Sequence, residues 1–175
     1  MATASRPTNI DYVKTYFQIP NLTKIHGEPT FKTLRVLFNE LKANAGDVST
    51  TLGGGLLGYL GLLLSILEYA RVAPGTPFVC SPNRGPLVIL EGTAQHAATQ
   101  MREDHAEALR QHRECIDVEA ALKKQALAAI DPKYTKCLRN RSTQQVSAPL
   151  DVMMTTLFVV TNSSRNNNWM SSKVR

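Results

Sequence analysis

Apolar positions along the chain fall into segments with different periods, and each predicts a different element. In Phe31–Ala45 they recur at three- and four-residue steps, as Phe31, Leu34, Leu37, Phe38 and Leu41. That period predicts an amphipathic helix, with Thr30 as its N-cap and Gly46 as the left-handed residue that closes it. In Leu56–Ala70 nearly every face is apolar, which predicts a short helix buried on all sides. Gly58 and Gly61 inside it cost about 1 kcal/mol each relative to Ala, so another backbone is expected to pass closely there. Thr93–Ile130 is the longest periodic segment. Ala97, Met101, Ala108, Leu109, Ile116, Leu122, Ala126, Leu127 and Ile130 track one side of it and charged residues fill the rest. Thr93 is its expected N-cap, it runs unbroken or bends near Asp117, and Asp131-Pro132 ends it. A short helix with proline first is predicted over Pro132–Arg139. A last one covers Pro149–Val160, with Leu150, Met153, Met154, Leu157 and Phe158 on one side.

The connectors differ among themselves. Residues 1–29 hold Pro7, Pro20, Gly27 and Pro29 and read as an extended arm, with room for one helical turn. Ala73–Gly92 is punctuated by Pro74, Pro77, Pro82 and Pro86, yet Phe78, Val79 and Leu87–Leu90 are apolar. An irregular segment lying on the helical body is expected there, rather than a linker. Asn140–Ala148 is a polar loop, and the polar, low-complexity Thr161–Arg175 is expected to be disordered. The expected fold class is all-α: a small helical bundle with a long amphipathic helix, an irregular Pro/Gly-rich loop and flexible termini. The division is an arm at 1–29, a helical domain at 30–160 and a tail at 161–175.

Composition adds three points. Hydrophobic residues are 43% and aromatics only 6% of the 175 residues, so the core must rest on Leu, Ala, Val and Ile. Net charge is +6, and Pro132–Arg175 carries seven basic residues against the single acid Asp151, so the basic end accounts for all of it. A neutral body with a basic end is compatible with a polyanionic partner. Cys80, Cys115 and Cys137 are odd in number and far apart, so no disulfide framework follows, and a reducing, cytoplasmic setting is expected. The N-terminus shows no apolar secretory segment.

The glycine-dense stretch Leu52–Ala70 admits three interpretations. Val48–Leu67 is 20 residues without a charge, long enough to span a membrane. Five glycines and an unbroken apolar run of only about 12 residues speak against a span. Gly53, Gly55 and Gly58 match the spacing of a dinucleotide-binding turn, but a polar run precedes them where a strand is required, and no Lys-Ser or Lys-Thr follows for a phosphate loop. What remains is structural: Gly53, Gly54, Gly55, Gly58 and Gly61 let backbones pass closely.

Candidate chemistry is sparse. His105, His112 and Cys115 stand at i, i+7 and i+10 and share one helix face. His112 with Cys115 could hold a metal, but core-edge packing is the plainer interpretation. Ser142 and Ser147 have no evident catalytic partner, so no enzyme, cofactor or metal is expected. Lys133, Tyr134, Lys136, Arg139 and Arg141 mix cations with one aromatic, as phosphate contact with base stacking would use.

Four segments taken together, Ile19–Phe31, Glu40–Ser65, Glu68–Val79 and above all Met101–Arg141, resemble the Gag-like N-terminal part of copia-type retrotransposon polyproteins. The resemblance runs from about Ile10 to Val160. It implies an α-helical capsid-like domain that is not an enzyme, self-associates as a homo-oligomer and packages RNA, with RNA held by the basic C-terminal segment. The zinc knuckle usual in that family is missing after Cys137, and residues 161–175 have the look of a truncated or frameshifted end. The competing expectation is a small membrane-associated protein anchored by residues 48–67.

Overall fold

A computed structural model describes residues 11–171, and among them the apolar stripes form five helices and no strand. These are α1 (Tyr12–Thr15), α2 (Phe31–Asp47), α3 (Ile66–Val72), α4 (Gln95–Ala129) and α5 (Leu150–Ser171), so the fold is all-α. Helix α2 is the centre of the packing. Its Leu34, Leu37 and Leu41 are fully buried, in one cluster with Val118 and Leu122 of α4 and Leu150, Met153 and Met154 of α5. Each such side chain contributes about 1.5–3 kcal/mol of transfer free energy. Phe31 and Phe38 each lie against Phe158, at 5.5 and 6.1 Å between ring centroids, which closes the α2–α5 seam at its edge.

The start of α2 follows local chemistry. Thr33 N donates to Thr30 Oγ1 at 3.2 Å, and Thr30 N donates to Thr33 Oγ1 at 2.9 Å, satisfying two donors at the helix entry. Its end differs from expectation. Gly46 stays helical, the helix continues to Asp47, and the helix-end carbonyl of the buried Ala45 is satisfied from elsewhere, by Tyr59 N at 2.8 Å.

The largest correction concerns Leu56–Ala70, which is neither one helix nor wholly buried. Gly53, Gly54, Gly55 and Gly58 all take positive φ, between +52° and +78°, which a right-handed helix cannot contain. The chain instead makes 3₁₀ turns at Leu52–Gly55 and Leu60–Leu62. A helix starts only after Ser65, whose hydroxyl accepts from Glu68 N while Glu68 accepts from Ser65 N. Tyr59 and Leu63 reach the core; Leu56, Ile66 and Leu67 stand 89%, 86% and 75% exposed.

The residues before α2 belong to the core. Tyr12, Phe17, Leu22 and Ile25 are buried, Ile25 N donates to Ala129 O at 2.8 Å, and Ile25 forms a lone parallel bridge with Ile130. Two buried amides lock the segment in place. Asn44 Oδ1 accepts from Ile19 N, Asn44 Nδ2 donates to Ile19 O and to Gln125 Oε1, and Gln125 Nε2 donates to Pro20 O. All these polar atoms are satisfied, as burial demands. Residues 1–10, the first part of the expected arm, lie outside the described residues.

Helix α4 begins at Gln95, not Thr93. Thr93 Oγ1 donates to Leu90 O at 2.7 Å instead of capping, and Ala94 caps without a side-chain bond. The helix runs to Ala129 without a break, and its buried positions are Ala98, Ala108, Cys115, Val118, Leu122, Gln125, Ala126 and Ala129. Met101 and Ile116, counted in the apolar stripe by period, are exposed. Over Pro132–Arg139 two 3₁₀ turns, Pro132–Tyr134 and Lys136–Leu138, replace the expected helix. Helix α5 continues past Val160 to Ser171, and residues 172–175 of the expected disordered tail lie outside the described residues.

Candidate functional site

The face of α4 that carries His105, His112 and Cys115 is covered by Ala73–Ala94, an irregular strap between α3 and α4. Cys80 of the strap is disulfide-bonded to Cys115. One turn earlier His112 Nδ1 lies 2.8 Å from Ser81 O, and Ser81 Oγ donates to Gln111 Oε1 at 3.0 Å. Two further turns back His105 Nε2 lies 2.8 Å from Gly85 O. The shared face read from spacing is therefore real, but its groups are committed to the strap rather than to an ion. Among the described residues no group of three or more His, Cys, Asp or Glu is arranged to hold a metal. The pairing also corrects the expectation of unbridged cysteines; Cys137 alone is free, and it is exposed.

A polar network lies on the same helix. Arg110 grips Glu107 with two donors, Nε at 2.8 Å and Nη2 at 2.6 Å, and reaches Glu114 with Nη1 at 2.7 Å. Glu114 accepts from the hydroxyl of the buried Tyr59 at 3.4 Å. Its hydrogen bonds with Arg110 hold the Glu107 carboxyl below the ordinary carboxylate range. The same pairing, first with Glu107 and then with Glu114, pushes the Arg110 guanidinium up. Burial above all, and then the Glu114 charge, pushes the Tyr59 hydroxyl up, so it stays a donor. The arrangement ties the glycine-rich turn to α4.

Large apolar side chains stay exposed on and around α3. Leu56, Ile66, Leu67, Val72 and Val79 are all more than half exposed, and Val88 and Leu90 continue the exposure along the strap. A cavity of about 200 Å³ is lined by Leu64, Ile66, Tyr69, Phe78 and Val79, among others. Phe78 organises its wall. Its ring packs on Tyr59 and Tyr69, at 6.0 and 5.7 Å between centroids, and sits over Gly61, where a Cβ would overlap it. Gly53 similarly faces the hydroxyl of Tyr69, which donates to Gly53 O at 3.3 Å. Gly54 faces Thr76 and Gly55 faces Thr50 O. The role of Phe78 has no sequence signal beyond its being apolar inside a proline-rich loop.

The basic residues sit on the two 3₁₀ turns and the loop after them. Lys133, Lys136 and Arg141 are exposed and Tyr134 is half-buried. Lys133 Nζ stands 4.7 Å above the Tyr134 ring, and Tyr134 first, then Asp131, holds its pKa up. Arg139 is half-buried and folds back on its own loop, with Nη1 donating to Gln144 O at 2.9 Å. Three of the four cations therefore face solvent around one aromatic; Arg139 supports the loop.

No helix among the described residues is long and apolar enough to cross a membrane. Of the glycines with dinucleotide-like spacing, Gly53 and Gly55 lie within the first 3₁₀ turn and Gly58 ahead of the second, and the element before them is the helix α2 rather than a strand. No family model, curated protein or solved structure matches the chain.

Proposed function

We propose that this chain is a Gag-like structural protein of the copia type, a non-enzymatic helical scaffold that acts in the cytoplasm and self-associates. The sequence resemblance over about Ile10–Val160 supports it. The observation that carries it is that Leu56, Ile66, Leu67, Val72 and Val79, large apolar side chains on and around α3, are all more than half exposed, apolar area that association would cover.

Sedimentation velocity over a concentration series tests this. Oligomers should grow with concentration, and Leu67→Glu, a change at a 75% exposed position, should raise the association midpoint at least about tenfold while leaving the helical spectrum intact. A protein that stays strictly monomeric at high concentration overturns it. Pelleting with membranes in carbonate would favour the membrane-anchored alternative instead.

RNA is proposed as a second partner, on the exposed cations Lys133, Lys136 and Arg141 grouped around Tyr134. Binding through phosphate contacts loses affinity steeply as salt rises. A flat salt response removes RNA from the proposal and leaves self-association untouched.

A further inference from the structure

Among the described residues, no backbone–backbone hydrogen bond ties the strap between Phe78 and Thr93 to another element. Its two ends are fixed differently from its middle. At one end the Phe78 ring is seated on Gly61; at the other the chain enters α4 at Gln95. In between, the attachments to α4 are the Cys80–Cys115 bond and the side-chain contacts of His112 and Gln111 with Ser81 and of His105 with Gly85. Two of those three hydrogen bonds fall on the residue next to Cys80. The covalent bond therefore holds in register the carbonyl and hydroxyl that the others need. Residues 82–86, beyond it, are exposed throughout.

We propose that Val79–Ala94 is a thiol-gated strap, closed over the Cys115 side of α4 when Cys80 and Cys115 are bridged and released when they are reduced. Cys115 is buried and Cys80 half-buried, so the accessible sulfur is Cys80 Sγ. The thiolate of a dithiol attacks Cys80 Sγ, the Cys80–Cys115 bond breaks, and Cys115 leaves as a thiolate that takes a proton from water. The second thiol of the reagent then displaces Cys80 from the mixed disulfide, and Cys80 also ends as a thiol. Two electrons and two protons pass to the protein, and the dithiol becomes its cyclic disulfide. In a compartment that keeps thiols reduced, the strap is open by default and closes on oxidation. Self-association is not needed for any of this, because the step is read on the monomer.

Limited digestion with trypsin at low protein concentration tests it, in a Cys137→Ser background that removes the exposed third thiol. The reporter is the Arg84–Gly85 bond in the exposed middle of the strap. Dithiothreitol should speed cleavage there at least about tenfold, with the helical spectrum unchanged and cleavage after Lys133 unaffected. Adding Cys80→Ser should give the fast rate with or without the reagent. Three results overturn the proposal: two titratable thiols that persist after treatment with an oxidised dithiol, an unchanged Arg84 rate after two thiols have appeared on reduction, or loss of the helical spectrum on reduction. The last would mean that the bond holds the whole fold rather than the strap.

Discussion

Helix α4 is held by different means at its two ends. From Cys115 to Ala129 its buried residues join one apolar cluster with α2, α5 and the Tyr12–Ile25 segment, reinforced by the satisfied amides of Asn44 and Gln125. From Gln95 to Ala108 its only buried residues are Ala98 and Ala108, neither part of that cluster, and the strap lies alongside by a few named attachments. Apolar packing is spread over many small contacts and tolerates the weakening of any one except a fully buried side chain. A strap held at a few points depends on each of them, and each can be altered by ordinary solution chemistry. The packed end is suited to stability and the strapped end to change.

The largest expected effect separates the two ends directly. Leu122→Ala, at a fully buried position, should lose about 3 kcal/mol in urea unfolding, whereas Met101→Ala, at an exposed position beside the strap, should lose less than about 1 kcal/mol. Similar losses at both would erase the contrast.

A second pair tests the joint between α2 and the glycine-rich turns. A Cβ on Gly58 would lie 2.5 Å from Gly46 O and 2.6 Å from Ala45 O, on a backbone with φ +52°. Gly58→Val should therefore cost about 2–4 kcal/mol from overpacking and left-handed strain. Gly46→Ala, inside α2 with nothing within 4 Å, should stabilise by up to about 1 kcal/mol. Thermal unfolding of the two variants reads both signs, and a neutral Gly58→Val would remove the close approach.

The smallest effect lies at the start of α3. The hydrogen bond from Ser65 holds the Glu68 carboxyl below its ordinary range. A depressed carboxylate stabilises the folded state above its unfolded pKa, about 4.3, and loses that contribution as pH falls through the lower folded value. Glu68 is exposed, so screening limits this to a few tenths of a kcal/mol. Amide exchange in α3 should quicken as pH drops below about 4, after correction for intrinsic rates. Ser65→Ala should quicken it already at neutral pH and flatten the response; an unchanged profile in that variant would show that the cap does not set it.

Legibility followed the range of the interactions involved. Helix α2 was readable because Thr30, Thr33 and a 3.6-residue apolar period all act within a few positions of one another. The start of α5 was readable for the same reason: Leu150, Met153, Met154 and Leu157 do bury one side. Leu56–Ala70 was misread because glycines counted singly are modest helix penalties. Their positive φ values answer to distant partners: the Ala45 carbonyl that needs Tyr59 N, and the Tyr69 hydroxyl that donates to Gly53 O. The apolar stripe of α4 was misjudged near Met101 because what covers that half of the helix is a strap, which selects small residues and polar anchors rather than a row of leucines.

At the candidate site, spacing alone put His105, His112 and Cys115 on one face. It could not say what that face meets, since Cys80 is 35 residues from Cys115 and its loop has no period from which to place it. The sequence by itself determined the all-α class, the α2 cap, the α4 terminus at Asp131-Pro132 and the basic end, all consequences of short-range backbone chemistry and composition. Only the tertiary structure decided that the glycine-rich stretch breaks into turns, that Arg139 is spent on its own loop, and that two distant cysteines meet. Those outcomes depend on which surfaces are apposed once the chain has folded, and no local pattern records that.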